Sequence, residues 1–252
     1  MNRLILSFVF IFVGVLHSYS NEFLIKLSNK IYQNECSSKE DNLLFWNKNE
    51  SFPSLGIGHF IWYPQNCPAT FEETFPALVS FLKNQNVPLP KWLDEKMSCP
   101  WATREIFYHQ IHSEKMQELK KLLIATKKQQ SLFIIKRFED SLRQIVAKLP
   151  SNKKQAVLNQ VKQLMANPKS MFALIDYLHF KGTGLNEKER YKNQGWGLLQ
   201  VLSKMPDTSS DALQEFVRCA KDLLIQRVNN SPSPSTEKKW LDGWINRIQR
   251  YL

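Results

Sequence analysis

The most informative segment for the fold is Ser54-Leu55-Gly56-Ile57-Gly58-His59, which follows a carboxylate, Glu35, in the chain. Glu35 stands near the end of a segment whose inward residues recur at three- and four-residue steps, as on one face of a helix; these residues are Ile25, Ser28, Ile31, Tyr32 and Cys36. From Leu55 to Tyr63 the chain is rich in glycine, isoleucine and aromatic residues, a composition typical of a short strand or hairpin. The sequence therefore predicts a helix that ends in an acid, followed by a small β-hairpin.

Helical periodicity dominates the rest of the chain, and after Pro100 almost all of it is predicted to be helical. Pro150-Ser151-Asn152 marks a helix break with new capping residues, and residues 231–236 are predicted to be a surface linker before the last helix. Apolar stripes are predicted for these helices; they include Met116, Leu119, Leu122 and Leu123, then Leu132 to Leu149, then Val157 to Met165, then Leu213 to Leu224, and finally Trp240, Leu241, Trp244, Ile245 and Ile248. The predicted fold class is mostly α, with a small β-hairpin near the N-terminus.

The first 20 residues have the pattern of a secretory signal peptide. Arg3 supplies a positive start, residues 4–16 form an apolar run of 13 residues, and Ser18 and Ser20 place small residues before a cut at Asn21. An uncleaved membrane anchor is the alternative, although the run is short for a bilayer span. We therefore expect a secreted or periplasmic protein, not stably inserted in a membrane once the signal is removed, with one domain over residues 21–252.

Composition and charge restrict the partners. The chain is 43% hydrophobic and 12% aromatic, enough to bury a sizeable core, and its net charge of +11 favours anionic polymers. No nucleic-acid motif, phosphate-binding loop or metal-ligand spacing is present, so we expect no nucleic-acid partner, no metal and no cofactor, and a monomer. The four cysteines, Cys36, Cys67, Cys99 and Cys219, leave three complete disulfide pairings open.

The arrangement of Glu35 and residues 54–59 resembles the active-site region of phage-type lysozymes. In that family a glutamate at a helix end is followed by a hairpin that carries Thr-x-Gly-Ile-Gly-His, and Ser54 stands where the family has threonine. The family also places an aspartate six residues before that threonine, whereas Lys48 occupies this position here. The nearest acid is Glu50, so this sequence departs from the family at its second carboxylate.

The resemblance implies a glycosidase with Glu35 as general acid, because the oxygen of a glycosidic bond must be protonated as the bond breaks. A partly buried carboxylate at the negative end of a helix is expected to have a raised pKa, which suits a proton donor. Glu50 is the candidate base, and Ser54 is the candidate that positions water or a sugar hydroxyl. His59 is a candidate substrate-site residue that is also expected to hold the hairpin, and Gly56 and Gly58 suit a groove wall that approaches a ligand.

A second candidate substrate-binding cluster contains Tyr191, Gln194 and Trp196. The segment Gly195-Trp196-Gly197-Leu198-Leu199-Gln200 loosely resembles the Gly-Leu-x-Gln segment of lytic transglycosylases and goose-type lysozymes. These side chains at a helix entry are candidates to line a sugar subsite, but a helix-capping turn over a leucine core explains the same pattern. Asp176, on the preceding helical segment, is a further candidate for the second carboxylate.

The resemblance, together with the signal-peptide pattern, implies cleavage of peptidoglycan by an exported lysozyme-like glycoside hydrolase. Two alternatives stay open. A lytic transglycosylase needs a single glutamate, because a hydroxyl of the substrate itself attacks, and a non-catalytic lysozyme-like module would bind the wall glycan or a partner protein without cutting. The products distinguish the three, because a hydrolase leaves reducing ends, a transglycosylase leaves anhydro ends and a binder leaves neither.

Overall fold

The computed structural model describes residues 20–69, 71–166, 168–207 and 209–252. These residues form ten α-helices and one small antiparallel sheet, which confirms the predicted mostly α fold with a small β element near its start. The helices are α1 (Asn21–Cys36), α2 (Phe75–Asn84), α3 (Arg104–His109), α4 (Glu114–Ala125), α5 (Lys127–Lys148), α6 (Ser151–Met165), α7 (Pro168–Lys181), α8 (Leu198–Lys204), α9 (Ala212–Asn230) and α10 (Pro234–Gln249). The strands are β1 (Leu44–Phe45), β2 (Ser54–Leu55) and β3 (Phe60–Ile61), and a 3-10 helix spans Glu40–Leu43.

The described chain divides into two compact units, residues 20–134 and residues 135–252, and the division falls inside α5. The predicted single domain over residues 21–252 stays a prediction. The predicted signal peptide lies outside the described residues except for Ser20, whose hydroxyl caps α1 by accepting a hydrogen bond from Phe23 N at 3.1 Å. In the described part of the chain, no helix is both long and apolar enough to cross a membrane.

Helix α1 buries the stripe that carries the acid, with one correction. Residues Ile31, Tyr32 and Cys36 are buried as predicted, but Ile25 is about half exposed, and the inward position one residue earlier belongs to Leu24. The helix ends at Ser37, which has a left-handed φ of 51° and whose N–H bonds back to the carbonyl of Gln33. This cap satisfies a last-turn carbonyl group and turns the chain towards the sheet.

The sheet has the order β1-β2-β3, with both pairs antiparallel. Leu55 pairs with Leu44 on one side and Phe60 on the other, and all three side chains are buried. Ser54 pairs in the same way with Phe45 and Ile61. Because partners in register point to the same face, Leu44, Leu55 and Phe60 make the core face, while the row through Ser54 makes the other, more exposed face.

An aromatic core supports the sheet within the first unit. Trp62 packs against Phe75 at the start of α2, with ring centroids 4.7 Å apart, and against Trp101 at 6.1 Å. Trp101 in turn meets Phe107 on α3, which also contacts Trp46. Buried aromatic rings of this size fix the loops around the sheet through shape as well as through apolar area.

The second unit is almost entirely helical. Most residues of α7 are buried, and α9 packs against both α8 and α10. The predicted break after α5 is confirmed, since α5 ends at Lys148 and α6 begins at Ser151. The predicted linker is too long, because Pro234 is already in the first turn of α10, where proline is well suited. Trp240, expected in the apolar stripe of α10, is 54% exposed.

Candidate functional site

The structure brings the predicted acid to the hairpin. Glu35 lies in the last turn of α1, and its Oε2 is 3.6 Å from Nδ1 of His59 in the turn between β2 and β3. The Glu35 side chain is 16% exposed and the His59 side chain 23% exposed. The two groups are therefore in contact and partly screened from solvent, although 3.6 Å is longer than a strong hydrogen bond.

The turn that presents His59 spans residues 56–59. His59 N donates to Gly56 O at 3.2 Å, and both residues have positive φ, 71° at Gly56 and 45° at His59. A left-handed conformation costs glycine little, but it is uncommon for a residue with a side chain. The positive φ of His59 is a strained backbone conformation, and the contacts around the residue must stabilise it.

Gln130 on α5 supplies the main support of this turn. Its fully buried side chain accepts a hydrogen bond from Ile57 N at 2.9 Å and donates to Leu123 O and Thr126 Oγ1 at 2.7 and 3.0 Å. A Cβ atom on Gly56 would lie 2.4 Å from Gln130 Oε1. The first glycine of the motif is thus required by the approach of Gln130 as well as by its own φ.

The glycines do not form the groove wall that the sequence suggested. Gly56 and Gly58 are both buried, and a Cβ atom on Gly58 would lie 2.7 Å from the ring of Phe60. Side chains of the protein, and not a ligand, occupy the space next to these two glycines. These glycines shape the turn, and it is His59 that extends towards Glu35.

Cys36 ties the end of α1 to the same turn. Its buried thiol lies 3.5 Å from Gly56 O, and burial raises the pKa of this thiol to about 12. All four cysteines lie in the described part of the chain and are free thiols. Glu35 is therefore positioned without a disulfide, through the contact made by its neighbour in sequence.

Phe45 extends the site along the sheet. Its ring stacks on the imidazole of His59, with centroids 5.9 Å apart and an interplanar angle of 12°, and the residue is 37% exposed. Ser54 is the neighbour of Phe45 across β1 and β2 and lies on the same face of the sheet, where it is largely buried. The site thus places a carboxylate, an imidazole and an accessible aromatic ring side by side, with a hydroxyl in the adjoining strand.

Glu50, the predicted base, lies in a turn before β2. Its N–H donates to Asn47 O at 3.1 Å, its carbonyl accepts from the indole of Trp46 at 2.8 Å, and the residue is exposed. Partial desolvation by nearby protein atoms raises the pKa of its carboxyl group. These contacts fix the backbone of the turn and leave the carboxylate at the surface.

Tyr191 and Trp196, the predicted sugar-binding aromatics, lie in the second unit, whereas Glu35 lies in the first. Their rings are 4.8 Å apart, and the guanidinium of Arg227 on α9 lies 4.1 Å from the Trp196 ring. The hydroxyl of Tyr191 donates to Glu237 at 2.7 Å, and Arg227 Nε donates to the same carboxylate at 2.8 Å. The two rings therefore belong to a packed network that connects the 191–196 loop with α9 and α10.

The charged side chains of this network are paired with oppositely charged or aromatic groups. Burial raises the pKa of Glu237, but the hydrogen bonds from Arg227 and Tyr191 outweigh it and hold this pKa below its ordinary value. Lys181, at the end of α7, lies 3.5 Å from the centroid of the Trp244 ring. Burial and the nearby Arg227 lower the pKa of Lys181 to about 6. The aromatic ring acts in the opposite direction, because it stabilises the charged form of the lysine.

The two remaining candidates, Gln194 and Asp176, have different surroundings. Gln194 is half-buried, lines a surface cleft of the second unit and bonds to Gly195 O at 2.9 Å. Asp176 is fully buried and accepts hydrogen bonds from Arg247 at 2.9 and 3.0 Å and from the hydroxyl of Tyr251. It therefore stabilises the second unit and is not placed to activate a water molecule.

Among the described residues, no group of three or more histidine, cysteine, aspartate or glutamate side chains could hold a metal ion. No family model, curated protein or solved structure matches the chain. Sequence reasoning missed two residues of the site: Phe45, which has an exposed aromatic side chain in a two-residue strand, and Gln130, which lies 73 residues from the backbone it supports.

Proposed function

We propose that this protein is an exported, lysozyme-like glycosidase that cleaves the glycan strands of peptidoglycan, with Glu35 as the general acid. The observation that carries the proposal is the contact between Glu35, at the end of α1, and His59, in the turn of a three-stranded sheet. General-acid cleavage needs a carboxyl group that is held in place and still accessible to a glycosidic oxygen. Glu35 meets both conditions, because Cys36 anchors the helix end and the carboxylate is partly exposed.

The surroundings of Glu35 suit a sugar substrate. Phe45 offers an accessible ring beside His59, which contacts the acid, and an aromatic face can pack against the apolar C–H face of a pyranose. His59, contacted on one side by Phe45 and on another by Glu35, restricts the orientation of the carboxyl group. The positive net charge of the chain favours approach to an anionic wall polymer, which supports peptidoglycan as the target.

The proposal is for hydrolysis, with Glu50 as the second carboxylate. A raised pKa increases the basicity of this carboxylate, while its exposure leaves room for water. A lytic transglycosylase would use the same Glu35 and would not need Glu50. The two reactions share the acid and differ in the group that attacks the sugar.

The test is incubation of the purified protein with isolated sacculi, followed by mass spectrometry of the soluble fragments. Hydrolysis gives fragments with ordinary reducing ends, and Glu50→Gln should then lower the rate by at least tenfold. Anhydro ends together with full activity of Glu50→Gln would identify the transglycosylase instead. Retention of the protein on sacculi without any soluble fragment would overturn catalysis and leave a glycan-binding module.

A further inference from the structure

The second unit contains a surface cleft that the proposed reaction does not use. Its volume is about 550 Å³, within the range of about 300–1,000 Å³ that is typical of small-molecule sites. It is formed by the end of α5, by α8 and α9, and by the loop before α8.

The cleft combines an apolar floor with polar walls. Leu149 and Leu223 are almost fully buried, whereas Gln226 is exposed and Ser203 is half-buried. One wall is rigid, because Gln200 accepts a hydrogen bond from Gly197 N at 3.0 Å and donates to Gly184 O at 2.9 Å. The cleft is therefore a shaped surface that presents amide and hydroxyl groups.

The charged groups of the lining are both cationic. Lys148 and Lys204 contribute two ammonium groups, and no aspartate or glutamate is among the lining residues. Asp222 lies 3.6 Å from Lys204 Nζ, and Arg218 shares its carboxylate at 3.2 Å. Because Asp222 is divided between two cations, the mouth of the cleft keeps an excess of positive charge.

We propose that this cleft binds a saccharide that carries a carboxylate. Amide and hydroxyl side chains are suited to the hydroxyl and acetamido groups of a sugar, and the leucine floor is suited to its C–H face. The two lysines would pair with the carboxylate through charge-assisted hydrogen bonds. The choice of a wall saccharide rests on the proposed function, and the cleft would be a binding site in the second unit in addition to the catalytic one.

The test uses NMR titration of the full chain carrying Glu35→Gln, so that no ligand is consumed. The two probes are the disaccharide of N-acetylglucosamine and N-acetylmuramic acid, which has a carboxylate, and diacetylchitobiose, which lacks it. We expect the first probe to bind more tightly, with shifts at Gln194, Ser203 and Gln226. Equal affinity for both probes, or shifts that avoid the cleft, would overturn the proposal.

The double variant Lys148→Gln/Lys204→Gln should weaken binding of the carboxylated probe about tenfold, the effect of losing hydrogen bonds to a charged group, and leave chitobiose within about twofold. The matched control, Lys162→Gln/Lys238→Gln, removes the same charge from two exposed lysines and should change neither affinity. An equal loss in the control would show general charge attraction and contradict the site. If the double variant does not fold, Gln226→Ala on the exposed rim must weaken both probes severalfold.

The outcomes separate the cleft from the catalytic proposal. A protein that cuts sacculi but shows no lysine-dependent binding overturns the cleft alone. A protein that binds the carboxylated probe in the cleft but releases no fragments overturns the catalytic proposal alone.

Discussion

Glycine, aromatic and charged residues occur together around Glu35 and again in the 182–197 loop, but their side chains are arranged in opposite ways. Around Glu35, Gly56 is buried against Gln130 and Gly58 against Phe60, while the acid, His59 and Phe45 keep part of their surface in solvent. In the 182–197 loop, the aromatic and charged side chains are turned towards each other, as the contact of Trp196 with Arg227 shows. A motif of this composition therefore indicates an ordered turn, and the burial and partners of its polar groups determine whether they remain available to a ligand.

The largest effect expected from this contrast is on catalysis. Glu35→Gln keeps the size of the side chain but cannot donate the proton, so cleavage of sacculi should fall by about two orders of magnitude or more. Glu22→Gln on the same helix, where the side chain is 75% exposed, is the matched control and should retain activity. Glu237→Gln tests the second region and should leave the cleavage rate per folded molecule within about twofold. Near-normal cleavage by Glu35→Gln would show that Glu35 is not the general acid.

The next effect is on stability. Gln130→Ala removes the bond to Ile57 N and leaves buried polar groups without a partner, which should lower the free energy of unfolding by about 2–3 kcal/mol. Gln160→Ala is the comparison in the second unit, where the side chain makes one short hydrogen bond, to Pro206 O at 2.7 Å, and one long one, to Met205 O at 3.4 Å. Urea unfolding followed by circular dichroism should show the smaller loss for Gln160→Ala. Equal losses would mean that the hairpin is supported mainly by other contacts.

A third prediction concerns Lys181 and pH. With a folded pKa of about 6 and an ordinary value of 10.5, the unfolded chain binds more protons at this side chain between these two pH values. Stability should therefore rise with pH across that window, and the full cost of burying the charge is present below pH 6. Lys181→Met should be more stable than the natural chain by more than about 1 kcal/mol at pH 7, with an advantage that shrinks towards pH 10.

Urea unfolding of both proteins at several pH values from 6 to 9 measures that advantage. The charged neighbours on α9 and α10 are Arg227, Arg247 and Glu237, and the pKa of Glu237 is held below its ordinary value, so this carboxylate stays charged through the range. A difference between the proteins that does not change with pH would show that Lys181 stays protonated in the folded state.

The smallest effect is expected at Phe45. Phe45→Ala removes the ring beside His59 and should lower kcat/KM on soluble glycan by about fivefold, which corresponds to roughly 1 kcal/mol of lost aromatic contact. Phe71→Ala is the control, since Phe71 is 56% exposed in the same unit and packs on Phe52. A similar loss in both variants would argue against a sugar-stacking role.

Much of the fold could be predicted because long helices repeat one simple pattern. The stripe of Met116, Leu119, Leu122 and Leu123 is buried as expected. Short elements could not be predicted in this way: β1 has two residues and exists only because Leu44 and Phe45 pair with β2. Ile25 and Trp240 fit a helical period but are exposed, since a period does not determine how wide the covered face is.

The candidate site was predictable where its residues are close in sequence. Glu35, Ser54 and His59 are predicted site residues because their motif resembles that of phage-type lysozymes, and the structure brings Glu35 to His59. The surroundings of the second cluster could not be predicted in this way. Tyr191 and Trp196 meet Arg227 and Glu237, which come from distant helices, and no pattern in the 191–200 segment reveals these partners.

The thiol of Cys36 gives the hairpin a built-in reporter of local opening. Burial raises the pKa of this thiol to about 12, so the reactive thiolate is rare at pH 7, and the sulfur is fully buried. Alkylation at this position must therefore wait until the 56–59 turn separates from the end of α1. The labelling rate of Cys36 can be compared with that of a short peptide of the same sequence. The ratio of the two rates would measure how often the turn that carries His59 separates from the helix end that carries Glu35 in the folded protein.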